Sequence, residues 1–223
     1  FAGCPLSVAP FHGELGGKVV GIIGFGNIGV QVARRARAFN MKVWAVASRP
    51  RHVTPDSLDW YGTTEQLHQM VEGSNFVVVC CAQTPETEGL VSSEVLTRMR
   101  KDAVLVNVAR GPVVDEDALY DCLKNKRIRG AALDVWWKYP SKDEPDVLPS
   151  RHPYHELDNV IMTPHASGWT SEQEERKIEQ VAWNVEQAAE TRPSFRFVCR
   201  PATTTRDLSP TTAWLKKLAI CCK

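Results

Sequence analysis

Residues 24–29 read Gly-Phe-Gly-Asn-Ile-Gly, and their flanks restrict what such a run can become. Lys18–Gly24 (KVVGIIG) is an unbroken, largely β-branched stretch, and Val30–Phe39 carries Val32, Ala33, Ala36 and Phe39 at helical spacing. The order is strand, tight turn, helix. In that context the first glycine makes the turn, the second lets backbone approach a pyrophosphate, and the third lets the helix pack on the strand. The positive end of the helix then faces the phosphates. Gly24, Gly26 and Gly29 therefore predict a dinucleotide-binding turn.

The same alternation continues downstream. Lys42–Ala47 and Phe76–Cys81 read as strands, Thr64–Glu72 and Ser92–Arg100 as helices, the second capped by Ser92. Ala103–Val108 is a strand, Asp115–Lys126 a helix with an acidic first turn and a basic last turn, and Ala131–Val135 and Val160–Thr163 are further strands. Their continuous hydrophobicity suits a parallel sheet covered on both faces. The expected fold class is α/β, a Rossmann-type doubly wound parallel sheet. Trp136–Asn159 holds four Pro and many charges, so it reads as a long excursion with Trp136 and Trp137 packing at its base. Thr170 and Gln173 make a capping-box pair for a helix whose apolar face is Ile178, Val181, Ala182, Val185 and Ala189, with Glu172–Lys177 as a solvated face. Arg200–Lys223 is assigned no role.

Composition narrows the function. The chain has 223 residues, 43% hydrophobic and 24% charged, which excludes a disordered or fibrous protein and fits one large domain, or one domain with part of another. Its 27 Lys+Arg against 26 Asp+Glu leave +1, an argument against nucleic acid or an anionic membrane as partner. No apolar run approaches the roughly 18 residues of a membrane span. Seven Cys without CxxC spacing read as free thiols of a reducing, cytoplasmic compartment, and no metal site is expected. Residues Phe1–Pro10 lack the pattern of a signal peptide, and a chain that starts at Phe reads as an N-terminal truncation.

Where NAD is bound, an acidic residue roughly 20 positions beyond the glycines accepts hydrogen bonds from the ribose hydroxyls. Here Ala47-Ser48-Arg49 stands at the strand end, followed by Arg51 and His52. A hydroxyl and cations suit the 2′-phosphate, so NADP is expected, with NAD as the alternative.

GKVVGIIGFGNIG (17–29), TPETEGLV (84–91), VNVARGPVVDEDAL (106–119), AALDVW (131–136) and NVIMTPHASGWT (159–170) follow one another in order. On these motifs the span Leu15–Ala189 resembles the D-isomer-specific 2-hydroxyacid dehydrogenases. The resemblance implies an NAD(P)-dependent oxidoreductase acting on CH–OH donors, a homodimer that moves hydride between the nicotinamide and a small 2-oxo or 2-hydroxy acid. Glyoxylate or hydroxypyruvate is the implied type of substrate, and NADP points to the reductive direction. Arg110 in VNVARG is then the residue that holds the substrate carboxylate and polarises the 2-oxo group, for which a planar guanidinium fork is suited. His165 in TPHASGW is the implied general acid/base toward the C2 oxygen. Implied cofactor contacts are Asn27 and Ile28 at the pyrophosphate turn, Cys81 at the end of FVVVCC, and Val108, Ala109 and Asp134 near the nicotinamide. A structural cap is the alternative role for Asp134.

Two features depart from the family pattern. The glutamate that orients the histidine is replaced by Tyr139, with Glu144 and Glu156 as candidate substitutes. A phenol can hydrogen-bond an imidazole but brings no negative charge at neutral pH. Most of the family's substrate domain is also absent. The expected division is 1–14 as a crossing segment from that domain, 15–170 as the dinucleotide-binding domain, 171–191 as a returning helix and 192–223 as a tail of unassigned structure. On this expectation residues 1–223 bind cofactor but turn over 2-oxo acids poorly or not at all by themselves. The rival reading is a non-catalytic NAD(P)-binding interaction protein of the corepressor type.

Overall fold

The computed structural model describes residues 13–50 and 54–189. Arg51, His52, the opening segment to residue 12 and the tail from residue 190 lie outside the described residues, as do the expectations placed on them. Two compact units divide between Ser167 and Gly168. The first contains β1 (Val19–Ile23), β2 (Lys42–Ala47), β3 (Trp60–Thr63), β4 (Phe76–Val79), β5 (Val104–Asn107), β6 (Gly130–Leu133) and β7 (Val160–Met162). All pair in parallel, in the order β3-β2-β1-β4-β5-β6-β7. Its helices are α1 (Asn27–Ala38), α2 (Leu67–Gly73), α3 (Ser93–Arg98) and α4 (Glu116–Lys124). The second unit holds α5 (Ser171–Ala189), whose Gln173 N–H donates to Thr170 Oγ1 at 3.1 Å.

Strand side chains alternate between two buried layers except in β7, which was expected to be covered on both faces but has Ile161 and Met162 exposed. Val20 and Ile22 of β1, Val43 and Ala45 of β2 and Val78 of β4 pack with Ala33 and Ala36 of α1. On the other face Ile23, Val46, Val77, Val79 and Leu105 join a cluster with Leu67 and Met70 of α2, Leu96 of α3 and Leu119 of α4. Burial on both faces is why these strands read as continuous apolar runs.

The structure corrects several sequence boundaries. Helix α1 starts at Asn27, inside the glycine run, because the Val30 N–H donates to Gly26 O at 2.9 Å. Thr64–Glu72 divides into a 3₁₀ turn (Thr64–Gln66) and α2. Ser92 caps α3 as expected, accepting from Val95 N–H, while Asp115, read as the first residue of its helix, is also a cap and accepts from Ala118 N–H. Strand β3 has no counterpart in the sequence reading; its four residues include Gly62, and pairing to β2 is what makes them a strand. The α5 positions read as an apolar face are solvent-exposed at Ile178, Val181 and Val185.

The excursion between β6 and β7 has one 3₁₀ turn (Tyr154–Glu156) and is pinned by its aromatic residues. Trp136 is buried, and the Trp137 ring stacks on Tyr154 at 5.5 Å. Tyr154 Oη donates to Glu116 O at 2.9 Å, and His152 Nε2 lies 2.6 Å from Asp117 Oδ1 of α4.

Candidate functional site

A parallel sheet places all its carboxyl ends along one edge, and here the strand order reverses between β1 and β4. A crevice opens at such a switch point, and in doubly wound folds it is where ligands bind. The described residues singled out in the sequence lie along this edge: 24–29 after β1, Ser48 and Arg49 after β2, Cys81 after β4, Val108–Arg110 after β5, Asp134 after β6 and His165 after β7.

Gly24 has φ +97°, and a Cβ there would lie 2.6 Å from the Cys81 backbone. A Cβ on Gly29 would meet Gly24 O at 2.3 Å, so the third glycine is required for α1 to approach β1. Gly26 faces open space, with nothing within 4 Å of its would-be Cβ. At the N-terminus of α1 no side chain caps the helix and no acid lies in the first turn. Gly26, Asn27 and Ile28 are exposed. This cradle fits a dinucleotide pyrophosphate, with backbone N–H groups and the helix dipole as its anion partners.

Beside it, Ser48 and Arg49 are exposed just past β2, and the Tyr61 hydroxyl donates to Arg49 O at 2.6 Å. Cys80 and Cys81 are half-buried beyond β4. Burial, with the neighbouring Cys81, pushes the Cys80 thiol up to about 12, and burial also raises Cys81.

The VNVARG turn is shaped by a residue that sequence reading passed over. Asn107 is fully buried at the end of β5; its Oδ1 accepts from Ala109 N–H at 3.0 Å and its Nδ2 donates to Arg110 O at 3.1 Å. Arg110 itself is exposed, with one Nη donating to Ala109 O at 2.6 Å. A planar guanidinium has five N–H donors, so most remain for a ligand.

Asp134 organises the loop beyond β7. It is 6% exposed, and its Oδ1 accepts from Thr163 Oγ1 at 2.6 Å and from Ala166 N–H at 3.0 Å. Ser167 donates to the same carboxylate through both N–H and hydroxyl. Burial works against the charged form, but the bonds from Ser167, Thr163 and Ala166 outweigh it and hold the Asp134 carboxyl below its usual range. The clamp closes directly behind His165, whose φ of +57° is uncommon for a non-glycine residue. Tyr139 meets His165 with its ring, 5.5 Å between centroids and tilted 44°. Its hydroxyl is turned to the backbone and accepts from Trp136 N–H at 2.9 Å. Neither Glu144 nor Glu156 forms an ion pair with His165.

A family profile described as D-isomer specific 2-hydroxyacid dehydrogenase, NAD binding domain, matches residues 7–167. The chain is 38% identical over 172 residues to a glyoxylate reductase of Thermofilum pendens, covering 77% of this chain and 48% of the relative. It is 37% identical over 161 residues to a D-3-phosphoglycerate dehydrogenase of Methanocaldococcus jannaschii, covering 71% and 29%. It thus spans half or less of the length of these curated relatives. Among solved structures, a D-isomer specific 2-hydroxyacid dehydrogenase of Xanthobacter autotrophicus Py2 in complex with NADPH and MES superposes with a TM-score of 0.70 and 31% identity, over 80% of this chain and 69% of that one.

Proposed function

The chain belongs to the D-isomer specific 2-hydroxyacid dehydrogenase family through its NAD-binding domain, and from that premise we propose that it serves the NADPH-dependent reduction of a small 2-oxo acid, of the glyoxylate or hydroxypyruvate type, to the D-2-hydroxy acid. The observation that carries this reading is the alignment of 24–29, Ser48–Arg49, Arg110 and His165 along one sheet edge. The NADPH complex of the Xanthobacter relative and the glyoxylate reductase of Thermofilum support the choice of cofactor and acid.

A bound nicotinamide supplies the hydride. The free N–H groups opening α1 hold the pyrophosphate, with Asn27 and Ile28 beside it, and Cys81 walls the crevice beyond β4. Ser48 and Arg49 take the 2′-phosphate by charge-assisted hydrogen bonds. Val108 and Ala109 line the nicotinamide end. Arg110 grips the substrate carboxylate in its fork and draws electron density from the 2-oxo group. His165 gives a proton to the C2 oxygen as the alcohol forms. Asp134 and Tyr139 keep the imidazole in place, the first through the loop and the second through its ring. Among the described residues no helix is long and apolar enough to cross a membrane. Free thiols at Cys80, Cys81 and Cys122 support a cytoplasmic setting. Homodimerisation completes the proposal, and sedimentation of the purified protein checks it.

Calorimetric titration is the first test. NADPH should bind at least tenfold more tightly than NADH, about 1.4 kcal/mol, and Arg49→Ala should narrow the gap. Equal affinities, or tighter NADH, overturn the NADP assignment. In a steady-state assay of the full-length parent with glyoxylate and hydroxypyruvate, His165→Ala should lower kcat by about 10²–10⁴-fold while cofactor affinity holds, and Arg110→Ala should chiefly raise KM. NADPH binding by the whole protein without turnover of either acid would favour a cofactor-sensing interaction protein.

A further inference from the structure

We propose that Tyr61 is a positioning residue for cofactor choice, holding Arg49 where the 2′-phosphate of NADP is read; the proposal rests on the assignment of Arg49 made above.

Arg49 lies beyond the end of β2, exposed, on a long side chain with many rotamers. Among the described residues, two restraints act on its backbone. It precedes Pro50, whose ring confines the preceding residue to extended conformations. Its carbonyl also accepts the Tyr61 hydroxyl at 2.6 Å, the one described side-chain bond that reaches Arg49 from another strand. Tyr61 is placed for this by β3, where it pairs with Ala45 while Thr63 pairs with Ala47. Its ring meets Phe25 edge-on at 6.3 Å, and Phe25, 8% exposed, sits between Gly24 and Gly26. One side chain therefore connects the pyrophosphate turn to the strand end that faces the ribose. Fixing Arg49 lowers the entropy lost when its guanidinium closes on a phosphate. NADH carries no phosphate there, so the hydroxyl of Tyr61 has nothing to contribute to its binding.

The experiment is titration of the parent chain, Tyr61→Phe, Arg49→Ala and the double variant with NADPH and with NADH, alongside thermal melting of each. Tyr61→Phe keeps the ring and its contact with Phe25 and removes the hydroxyl. The NADPH Kd should rise about three- to tenfold, the range of one hydrogen bond, while the NADH Kd stays within about twofold. In the Arg49→Ala background the same change should cost nothing further, since both act through one contact. Pro50→Ala, which releases the other restraint, should weaken NADPH selectively as well. If the parent prefers NADPH but Tyr61→Phe and Pro50→Ala leave the ratio of the two constants unchanged, the positioning role is wrong. A parallel loss of NADH affinity also overturns it, because Tyr61 would then only support the fold. A parent without NADPH preference refutes the assignment of Arg49 itself.

Discussion

A histidine with φ +57° needs its neighbours held, and Asp134 holds them by accepting from Ala166 N–H and from both donors of Ser167. Replacing Asp134 by Ala removes several bonds to a buried carboxylate at once, although Ala166 is only half-buried and Ser167 exposed. Stability should fall by about 1–3 kcal/mol, read from the urea midpoint at neutral pH. The pH dependence has a definite sign. The folded carboxyl is held below its ordinary value of 3.8, so its contribution is complete above that value and fades as pH falls through the folded one. The difference between parent and Asp134→Ala should therefore shrink below about pH 4. Tyr139 makes a second residue-scale prediction. Since ring contact and not a hydrogen bond joins it to His165, Tyr139→Phe should preserve the ring-current shift of the His165 protons and Tyr139→Ala should abolish it. An unchanged imidazole spectrum in Tyr139→Ala would refute the contact.

At the scale of elements, the junction of β1 and α1 has the least tolerance. A methyl on Gly29 would stand 2.3 Å from Gly24 O and 3.2 Å from Ile22 Cγ2, and backbone cannot yield as a flexible side chain can. Gly29→Ala should push α1 off the strand, costing about 1–3 kcal/mol in melting experiments. It should weaken NADPH and NADH alike, because the pyrophosphate turn moves as a whole; selective loss of one cofactor would show that α1 had stayed in place. Strand β3 illustrates the opposite case, an element of four residues whose local sequence carries little signal and whose existence depends on β2. It nevertheless supplies Tyr61, so an element invisible to periodicity contributes to the candidate cofactor site.

For the molecule as a whole, the thiols report on how the two layers close over the sheet. Cys80 and Cys81 border the crevice, yet burial keeps both protonated at neutral pH, Cys80 with a value of about 12. The thiolate is the reactive form, so alkylation of the 80–81 peptide by iodoacetamide, followed by mass spectrometry, should be slow in native protein and rapid in urea. Rapid native labelling would mean that the edge opens in solution. The excursion 136–159 is tied to the same body through α4, where Arg151 and His152 both meet Asp117 and the His152 ring stacks on Tyr120 at 4.4 Å.

The parallel sheet and its glycine turn were legible in the residue order, because each rests on local information, whereas the candidate catalytic pair entered through the resemblance of short motifs to a family. Glycine spacing dictates a tight βα turn, uninterrupted apolar runs indicate strands covered on both faces, and Arg110 and His165 stand in short contiguous motifs. Tertiary structure alone decided the rest. Asn107 reads as an ordinary polar end to a strand until burial leaves its amide no partners except the Arg110 turn. Asp134 reads as a cofactor contact or a cap until a loop some thirty positions away supplies its donors. Tyr139 reads as a hydrogen-bonding stand-in for a carboxylate until the fold gives its hydroxyl to Trp136 and its ring to His165. For Asn107 and Asp134 the partner is chosen by burial at the sheet edge, where a polar group must pair with whatever the packed chain brings within reach; for the exposed Tyr139 it is chosen by the path of the loop after β6, and neither choice is encoded in any window of neighbouring residues.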